Sequence, residues 1–121
     1  MQNPNNYLFK NQDDTADYTS PQIRSNQWVT ASFMCFFSEN TAAGTIQLEF
    51  SNDPLFGVPP NDFTPTNWMN VPGTQATASV SSGGSVVVYP PTNFVAQWYR
   101  IVFTQSGGSG TFSCIYNALF V

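Results

Sequence analysis

The sequence contains no histidine and very few charged residues, and both shortages limit what the protein can do. Histidine is the usual general base, the usual metal ligand and the side chain that titrates near neutral pH. Charged residues make up 8% of the 121 residues, whereas they make up about a quarter of an average soluble domain. Neutral polar side chains must therefore keep the surface soluble. A surface of this kind repels other proteins only weakly, which suits a protein that packs against neighbours.

Basic residues are the scarcest group. Lys10, Arg24 and Arg100 are the only three, against seven acids, and the net charge is -4. A sequence-independent nucleic-acid binder neutralises about 6–10 phosphates, so we expect no nucleic-acid binding. No apolar run approaches the roughly 20 residues of a membrane-spanning helix, and residues 1–6 lack the features of a signal peptide. We therefore expect no membrane association, and synthesis in a cytoplasm unless the protein leaves inside a larger particle.

The sequence has only two cysteines, Cys35 and Cys114. Without histidine partners they cannot form a structural zinc site. Each falls in an alternating segment, on a face that also carries phenylalanine. A reactive thiol or a disulfide is one interpretation of the pair, and two buried thiols without a bond is the other. Because no export signal is present, we favour the buried thiols.

Side chains that could support catalysis are few. Glu39, Glu49 and Asp53 are the candidate carboxylates of the core region, and surface solubility explains them better than a pair of glycosidase carboxylates does. The glycine-rich segments 83–84 and 107–110 lead into no helix, so they predict turns and not phosphate-binding loops. We therefore predict no catalytic residue, no metal site and no cofactor, and a protein that is not an enzyme.

Strand-like alternation of apolar and polar residues begins at Trp28 and continues along the chain. No segment of ten or more residues has helical periodicity, and turns rich in glycine and proline separate the alternating segments. The predicted fold is all-β: a single-domain antiparallel β-sandwich, jelly-roll-like, formed by residues 27–121. The predicted strands cover residues 28–38, 44–51, 67–71, 75–80, 85–89, 97–105 and 110–121.

The short connections predict which strands pair, and the alternation along each strand predicts which side chains share a face. Segments 28–38 and 44–51 are predicted to form a β-hairpin, as are 97–105 and 110–121. In the first segment Trp28 falls on one face and Val29 on the other, together with Ala31, Phe33, Cys35 and Phe37. The residues predicted to be buried in the next strands are Ile46, Leu48, Phe50, Ile101 and Phe103.

Residues 1–26 are mostly polar, and we interpret them as an extended N-terminal arm. The segment is either a disordered terminus or an arm that Tyr7, Leu8 and Phe9 anchor on the domain or on a neighbouring subunit. In the second case we expect residues 20–24 to form a short edge strand.

Residues 51–66 form a second unusual segment, because four prolines exclude a regular strand there. This loop either folds over one end of the core or forms a contact surface. The candidate interface combines the anchor of the arm with the apolar residues of the loop: Tyr7, Leu8, Phe9, Leu55, Phe56, Val58 and Phe63.

Three aromatic residues offer a different kind of site. Trp68, Trp98 and Tyr99 would form a platform for stacking on sugar rings if they lay together, although tryptophan in a sandwich of this size is more often part of the core. Arg100 is a lone cation in a strand rich in aromatic residues. It is either paired with an acid or stacked on a ring.

The chain carries a succession of short motifs from residue 44 onward. Residues 44–53 have the form G-x-I-x-L-x-x-S-N-D, and the later motifs are Asn67-Trp68, Val71-Pro72-Gly73, the segment WYRIVFT at 98–104 and Gly108-Ser109-Gly110-Thr111. Over residues 28–121 this succession resembles small β-sandwich virion proteins of bacteriophages, found among capsid decoration (cement) proteins and other minor structural proteins. The resemblance is one of strands and turns and brings no active-site residues.

The resemblance implies a non-enzymatic viral structural protein, most of all a capsid decoration or minor capsid protein that binds and reinforces the phage shell. Its partners would be the major capsid protein or other virion proteins, and its location the virion, after synthesis in the host cytoplasm. A homo-oligomer is expected, with a trimer favoured because shell decorations often occupy three-fold positions. The alternatives are a carbohydrate-binding β-sandwich module that uses Trp68, Trp98 or Tyr99, and a tail or baseplate protein.

Overall fold

The structure is a computed structural model that describes residues 6–38, 43–53, 65–77 and 85–120. These residues contain ten strands and no helix. In chain order the strands are β1 (Tyr7–Asp13), β2 (Tyr18–Thr19), β3 (Ile23–Arg24), β4 (Trp28–Phe37), β5 (Ala43–Ser51), β6 (Met69–Asn70), β7 (Ala76–Thr77), β8 (Ser85–Val88), β9 (Trp98–Gly107) and β10 (Thr111–Phe120).

The strands form two antiparallel sheets that pack against each other. The four-stranded sheet has the order β1-β10-β4-β8. The six-stranded sheet has the order β2-β9-β5-β6, and β3 also pairs with β9 and β7 with β5. The prediction of an all-β sandwich is therefore confirmed.

The two predicted hairpins are wrong, because their short connections cross from one sheet to the other. β4 pairs with β10 and β8, whereas β5 pairs with β9, β6 and β7. β9 and β10 likewise belong to different sheets. Each crossing turns the apolar faces of two consecutive strands toward one interior from opposite sides, which buries both faces at once. A short connection thus indicated proximity but not hydrogen-bonded pairing.

The described part of the N-terminal segment belongs to the sandwich and is not a separate arm. β1 pairs with β10 at the edge of the four-stranded sheet, and β2 and β3 pair with β9. Leu8 and Phe9 are buried in the core of their own domain. The alternation is hard to detect here because β2 and β3 have two residues each and the ladder of β1 is interrupted by register shifts. The expected edge strand within residues 20–24 corresponds to β3.

Aromatic rings fill much of the space between the sheets. The ring centroids of Phe103 and Phe112 are 4.7 Å apart, and Phe37 stacks on Phe112 at 5.2 Å. Four of the five predicted core residues are fully buried: Ile46, Leu48, Ile101 and Phe103. The fifth, Phe50, is partly exposed, with its ring edge-on against Phe94 at 4.9 Å.

A bulge between β4 and β10 reverses the predicted faces at the start of β4. Thr30 pairs with Leu119 and Trp28 with Phe120, so Val29 is the extra residue in the ladder. Val29 is 46% exposed, while Trp28 stacks on Tyr99 in the interior with centroids 5.9 Å apart. One extra residue moves every residue before it to the opposite face.

Cys35 and Cys114 are free, fully buried and directly opposite each other in the β4–β10 ladder. The interpretation as buried thiols is confirmed. The hydrogen bond that the Cys114 thiol makes with Cys35, together with burial, raises the pKa of Cys114 far above its ordinary value.

We expect neither cysteine to be alkylated by iodoacetamide in the native protein, because the thiolate is the reactive form and both sulfurs are buried. Both should react after unfolding in denaturant, and mass spectrometry counts the adducts. The melting temperature should be the same with and without reductant. Native alkylation of either thiol at the rate of a free cysteine would contradict this assignment.

The connection from β9 to β10 fits closely around Asp14, which is fully buried. The backbone amide of Asp14 donates to the Gly110 carbonyl at 3.1 Å, and Asp14 Oδ1 accepts from the Gly110 amide at 2.9 Å. Gly108 has φ +155°, and a Cβ on this residue would lie 2.6 Å from Asp14 Oδ1. No larger residue fits without displacing this buried side chain.

We expect Gly108→Ala to destabilise the protein by about 1–3 kcal/mol through overpacking against Asp14. Gly73→Ala is the matched control, since Gly73 has φ +73° and no atom within 4 Å of an added Cβ. The control should therefore cost only the backbone strain of a left-handed residue, about 1–2 kcal/mol. Because backbone strain also applies at position 108, Gly108→Ala should be the less stable variant in chemical denaturation. Equal stability of the two variants would show that the close fit is unimportant.

Candidate binding surfaces

The proposed sugar platform of Trp68, Trp98 and Tyr99 does not form. Trp98 and Tyr99 are neighbours in one strand, so their side chains point to opposite faces. Tyr99 faces the interior, where it is 2% exposed and burial raises its pKa to about 12. Trp98 is 5% exposed on the outer side of the six-stranded sheet, and its indole Nε1 donates to the Asp53 carbonyl at 3.2 Å.

Arg100 satisfies both of the alternatives predicted for it. Its Nε and Nη2 each lie 2.7 Å from Glu49 Oε1, and Glu49 is its partner in the β5–β9 register. Its guanidinium carbon lies 4.2 Å from the centroid of the Trp68 ring. One face of Trp68 is thus covered from within the protein and is not open to a sugar ring.

Asp53 holds the two ends of the proline-rich loop together. Its carboxylate accepts hydrogen bonds from the Asn67 side chain at 2.9 Å and from the Thr66 and Asn67 amides at 2.8 and 3.0 Å. These bonds, led by that of the Asn67 side chain, lower the pKa of Asp53 below its ordinary value. Four predicted interface residues of the loop and one acid lie outside the described residues: Leu55, Phe56, Val58, Phe63 and Glu39.

We expect Asp53→Asn to lower the melting temperature at pH 7, because the amide cannot replace a carboxylate that accepts three hydrogen bonds. The folded pKa is depressed, so this stabilisation is present above the unfolded value of about 3.9 and is lost as the pH falls through the folded value. The difference between wild type and variant should therefore shrink below about pH 4.

Asn67→Ala serves as the partner in a double-mutant cycle with Asp53→Asn. If Asp53 acts largely through Asn67, the double variant should melt at a higher temperature than additivity predicts. Thermal unfolding at pH 7 that is the same for wild type and Asp53→Asn would contradict the role assigned to this carboxylate.

An apolar band crosses the outer face of the four-stranded sheet. It follows one row of the ladder, with Tyr7 opposite Ile115, Ile115 opposite Met34 and Met34 opposite Val87. Phe36 adjoins this row, with its ring 6.5 Å from that of Tyr7. Tyr7 is 38% and Val87 49% exposed, and the other three are partly exposed. We call these five residues the apolar band.

The band includes only one residue of the predicted N-terminal anchor. Tyr7 faces outward, and the Nζ of Lys10 lies 5.0 Å from the centroid of its ring. Leu8 and Phe9 are used inside the domain. The sequence signal for two further residues of the band, Met34 and Phe36, was the apolar outer face of 28–37.

A depression of about 390 Å³ lies beside the band on the same sheet. Thr30 and Ser32 of β4 line it together with Asn117 and Leu119 of β10 and with Tyr89, which follows β8. Ser32 stands opposite Asn117, and Thr30 opposite Leu119. None of the residues that line the depression is charged. Sequence reasoning missed this site, because serine, threonine and asparagine on an outward face are common and carry no motif.

In residues 6–38, 43–53, 65–77 and 85–120 no group of three or more Cys, Asp or Glu side chains is placed to hold a metal ion. The same part of the chain has no helix that is long and apolar enough to span a membrane. Protein-family models, curated proteins and solved structures yield no match to this sequence.

Proposed function

We propose that the protein is a non-enzymatic structural protein of a bacteriophage particle, a capsid decoration (cement) or minor capsid protein that binds the shell and reinforces it. The resemblance of residues 28–121 to small virion β-sandwiches points to this class. The apolar band is the observation that carries the proposal. All four strands of the sheet contribute partly exposed apolar side chains, which favours a protein contact. Because the chain has few charges, electrostatic repulsion of a partner is weak.

The strand order supports a jelly roll, an architecture found in viral capsid proteins. If β2 with β3 and β6 with β7 each count as one interrupted strand, the described residues form eight strands. With these eight strands numbered in chain order, the strands of the four-stranded sheet follow the order first, eighth, third, sixth. Those of the other sheet follow the order second, seventh, fourth, fifth. This order favours a double-sheet jelly roll. Lectin domains share the architecture, so the order alone does not decide the function.

The partner of the band is the major capsid protein or another shell protein. Aromatic residues and methionine are enriched at the centres of protein interfaces, and the band supplies Tyr7, Phe36 and Met34. The protein acts in the virion, after synthesis in the host cytoplasm, as a homo-oligomer. A trimer is favoured on the family resemblance alone. The same band would serve a tail or baseplate protein, which is the alternative location in the particle.

Binding to shells of the phage that encodes this chain tests the proposal. Tyr7→Lys and Val87→Lys place a charge at opposite ends of the band. The matched control is Met69→Lys, since Met69 is 67% exposed on β6 of the other sheet. In co-sedimentation with purified shells, each band variant should bind about tenfold more weakly or worse, the effect of losing an interface hot spot. The control should bind like the unchanged protein.

The outcomes separate the parts of the proposal. If both band variants bind shells as strongly as the control does, the band is not the docking surface. Failure of the unchanged protein to bind shells or particles would overturn the proposed function itself. Light scattering on the same samples reports the oligomeric state. Deletion of residues 1–17 is a poor test, because it would remove β1 and the buried Leu8, Phe9 and Asp14.

A further inference from the structure

The depression occupies a different half of the sheet face from the band. Phe36 and Thr30 are six residues apart on β4, a distance of about 20 Å along a strand. In the described residues β1 pairs with the part of β10 from Thr111 to Ile115, and the Tyr116 amide donates to the Asn6 carbonyl. Within the described part of the chain, the half with Phe36 is four strands wide, and β4, β10 and the residue after β8 form the half with the depression.

Hydrogen-bonding groups in the depression are not used by the protein. The side chains of Thr30, Ser32 and Asn117 are exposed, and none of them makes a hydrogen bond in the described part of the chain. Two hydroxyls and a carboxamide can both donate and accept. Ser32 and Asn117 are direct partners across the ladder, so their Cβ atoms lie about 5 Å apart.

An exposed aromatic ring stands beside these polar groups. Val88 pairs with Phe33, which places Tyr89 level with Ser32 on the continuation of β8. Tyr89 is 65% exposed and Leu119 is 59% exposed. A tyrosine ring offers a flat apolar face and a polar tip. The depression therefore combines apolar surface with unpaired neutral hydrogen-bonding groups.

The lack of charged side chains in the depression limits which classes of ligand can bind there. None of the three basic side chains lines the depression: Lys10 stands over Tyr7, Arg24 over Trp98, and Arg100 is bound to Glu49. A phosphate or carboxylate would find no counter-ion there, and a metal ion would find no carboxylate. A purely apolar ligand would leave the hydroxyls and the amide without partners, which is costly. A ligand that fits is neutral, rich in hydroxyl groups and apolar on one face.

We propose that this depression is a binding site for a neutral saccharide, with a sugar ring on Tyr89 and sugar hydroxyls bonded to Ser32, Asn117 and Thr30. Its volume falls within the range of about 300–1,000 Å³ that is usual for small-ligand sites. The site goes beyond the proposed docking on a shell and does not depend on it. It also differs from the rejected platform, since it uses none of Trp68, Trp98 and Tyr99.

Titration of the 15N-labelled protein with maltotriose, lactose and N,N'-diacetylchitobiose tests the site by nuclear magnetic resonance. At least one of these neutral probes should shift amide signals around Ser32, Tyr89 and Asn117, with a dissociation constant on the order of 1 mM. Glucuronic acid is the charged comparison and should bind more weakly. Tyr89→Ala should weaken binding about tenfold, as loss of a stacking ring does, whereas Tyr89→Phe should retain it.

Asn117→Leu is a second variant of similar size, which removes the carboxamide at an exposed position and should also weaken binding. Tyr7→Lys, in the apolar band, should bind the sugar normally. Conversely, Tyr89→Ala should still bind shells if the band docks there, so failure of one proposal is distinguishable from failure of the other. The absence of shifts with all three probes, shifts confined to another surface, or full binding by both Tyr89→Ala and Asn117→Leu would each overturn the inference.

Discussion

The contact between Phe103 and Phe112 joins the two sheets, and the rest of the sandwich is arranged around it. Phe103 lies in β9 and Phe112 in β10, with ring centroids 4.7 Å apart. Phe9 and Tyr18 pack their rings on Phe112 from the N-terminal strands at 4.9 and 6.0 Å. Because these consecutive strands face each other across the core, the chain between them must cross from sheet to sheet. The connection that makes this crossing fits closely around Asp14.

The two outer faces of the sandwich differ because the protein uses one of them for its own contacts. On the six-stranded sheet, Trp98 bonds to the backbone of Asp53, and Arg100 is held between Glu49 and Trp68. On the four-stranded sheet, the apolar band and the depression keep apolar and polar groups exposed. Both proposals therefore concern the four-stranded sheet, because a partner that binds there would bury exposed apolar surface.

The proposed function depends on surface side chains and not on the architecture. A β-sandwich is compatible with a capsid protein and with a lectin, so the architecture does not choose between them. The choice comes from side chains: a band from Tyr7 to Val87 that resembles an interface centre, and a depression lined by Ser32, Asn117 and Tyr89 that resembles a sugar site. Both lie on one sheet, so a shell-bound protein would carry the saccharide site beside its docking surface.

The alternation of apolar and polar residues was sufficient by itself to predict the long strands and most of their buried residues, and the lack of an export signal favoured free thiols at Cys35 and Cys114. A period of two defines which side chains share a face, and it does so without knowledge of partners. Only the tertiary structure decided which strands pair, because a ladder depends on neighbours far apart in sequence. It also decided that Trp28 turns inward at a bulge, and that Trp98 and Tyr99 are covered. The depression needed tertiary structure most of all, since β4, β10 and Tyr89 meet there only after the sheet has formed.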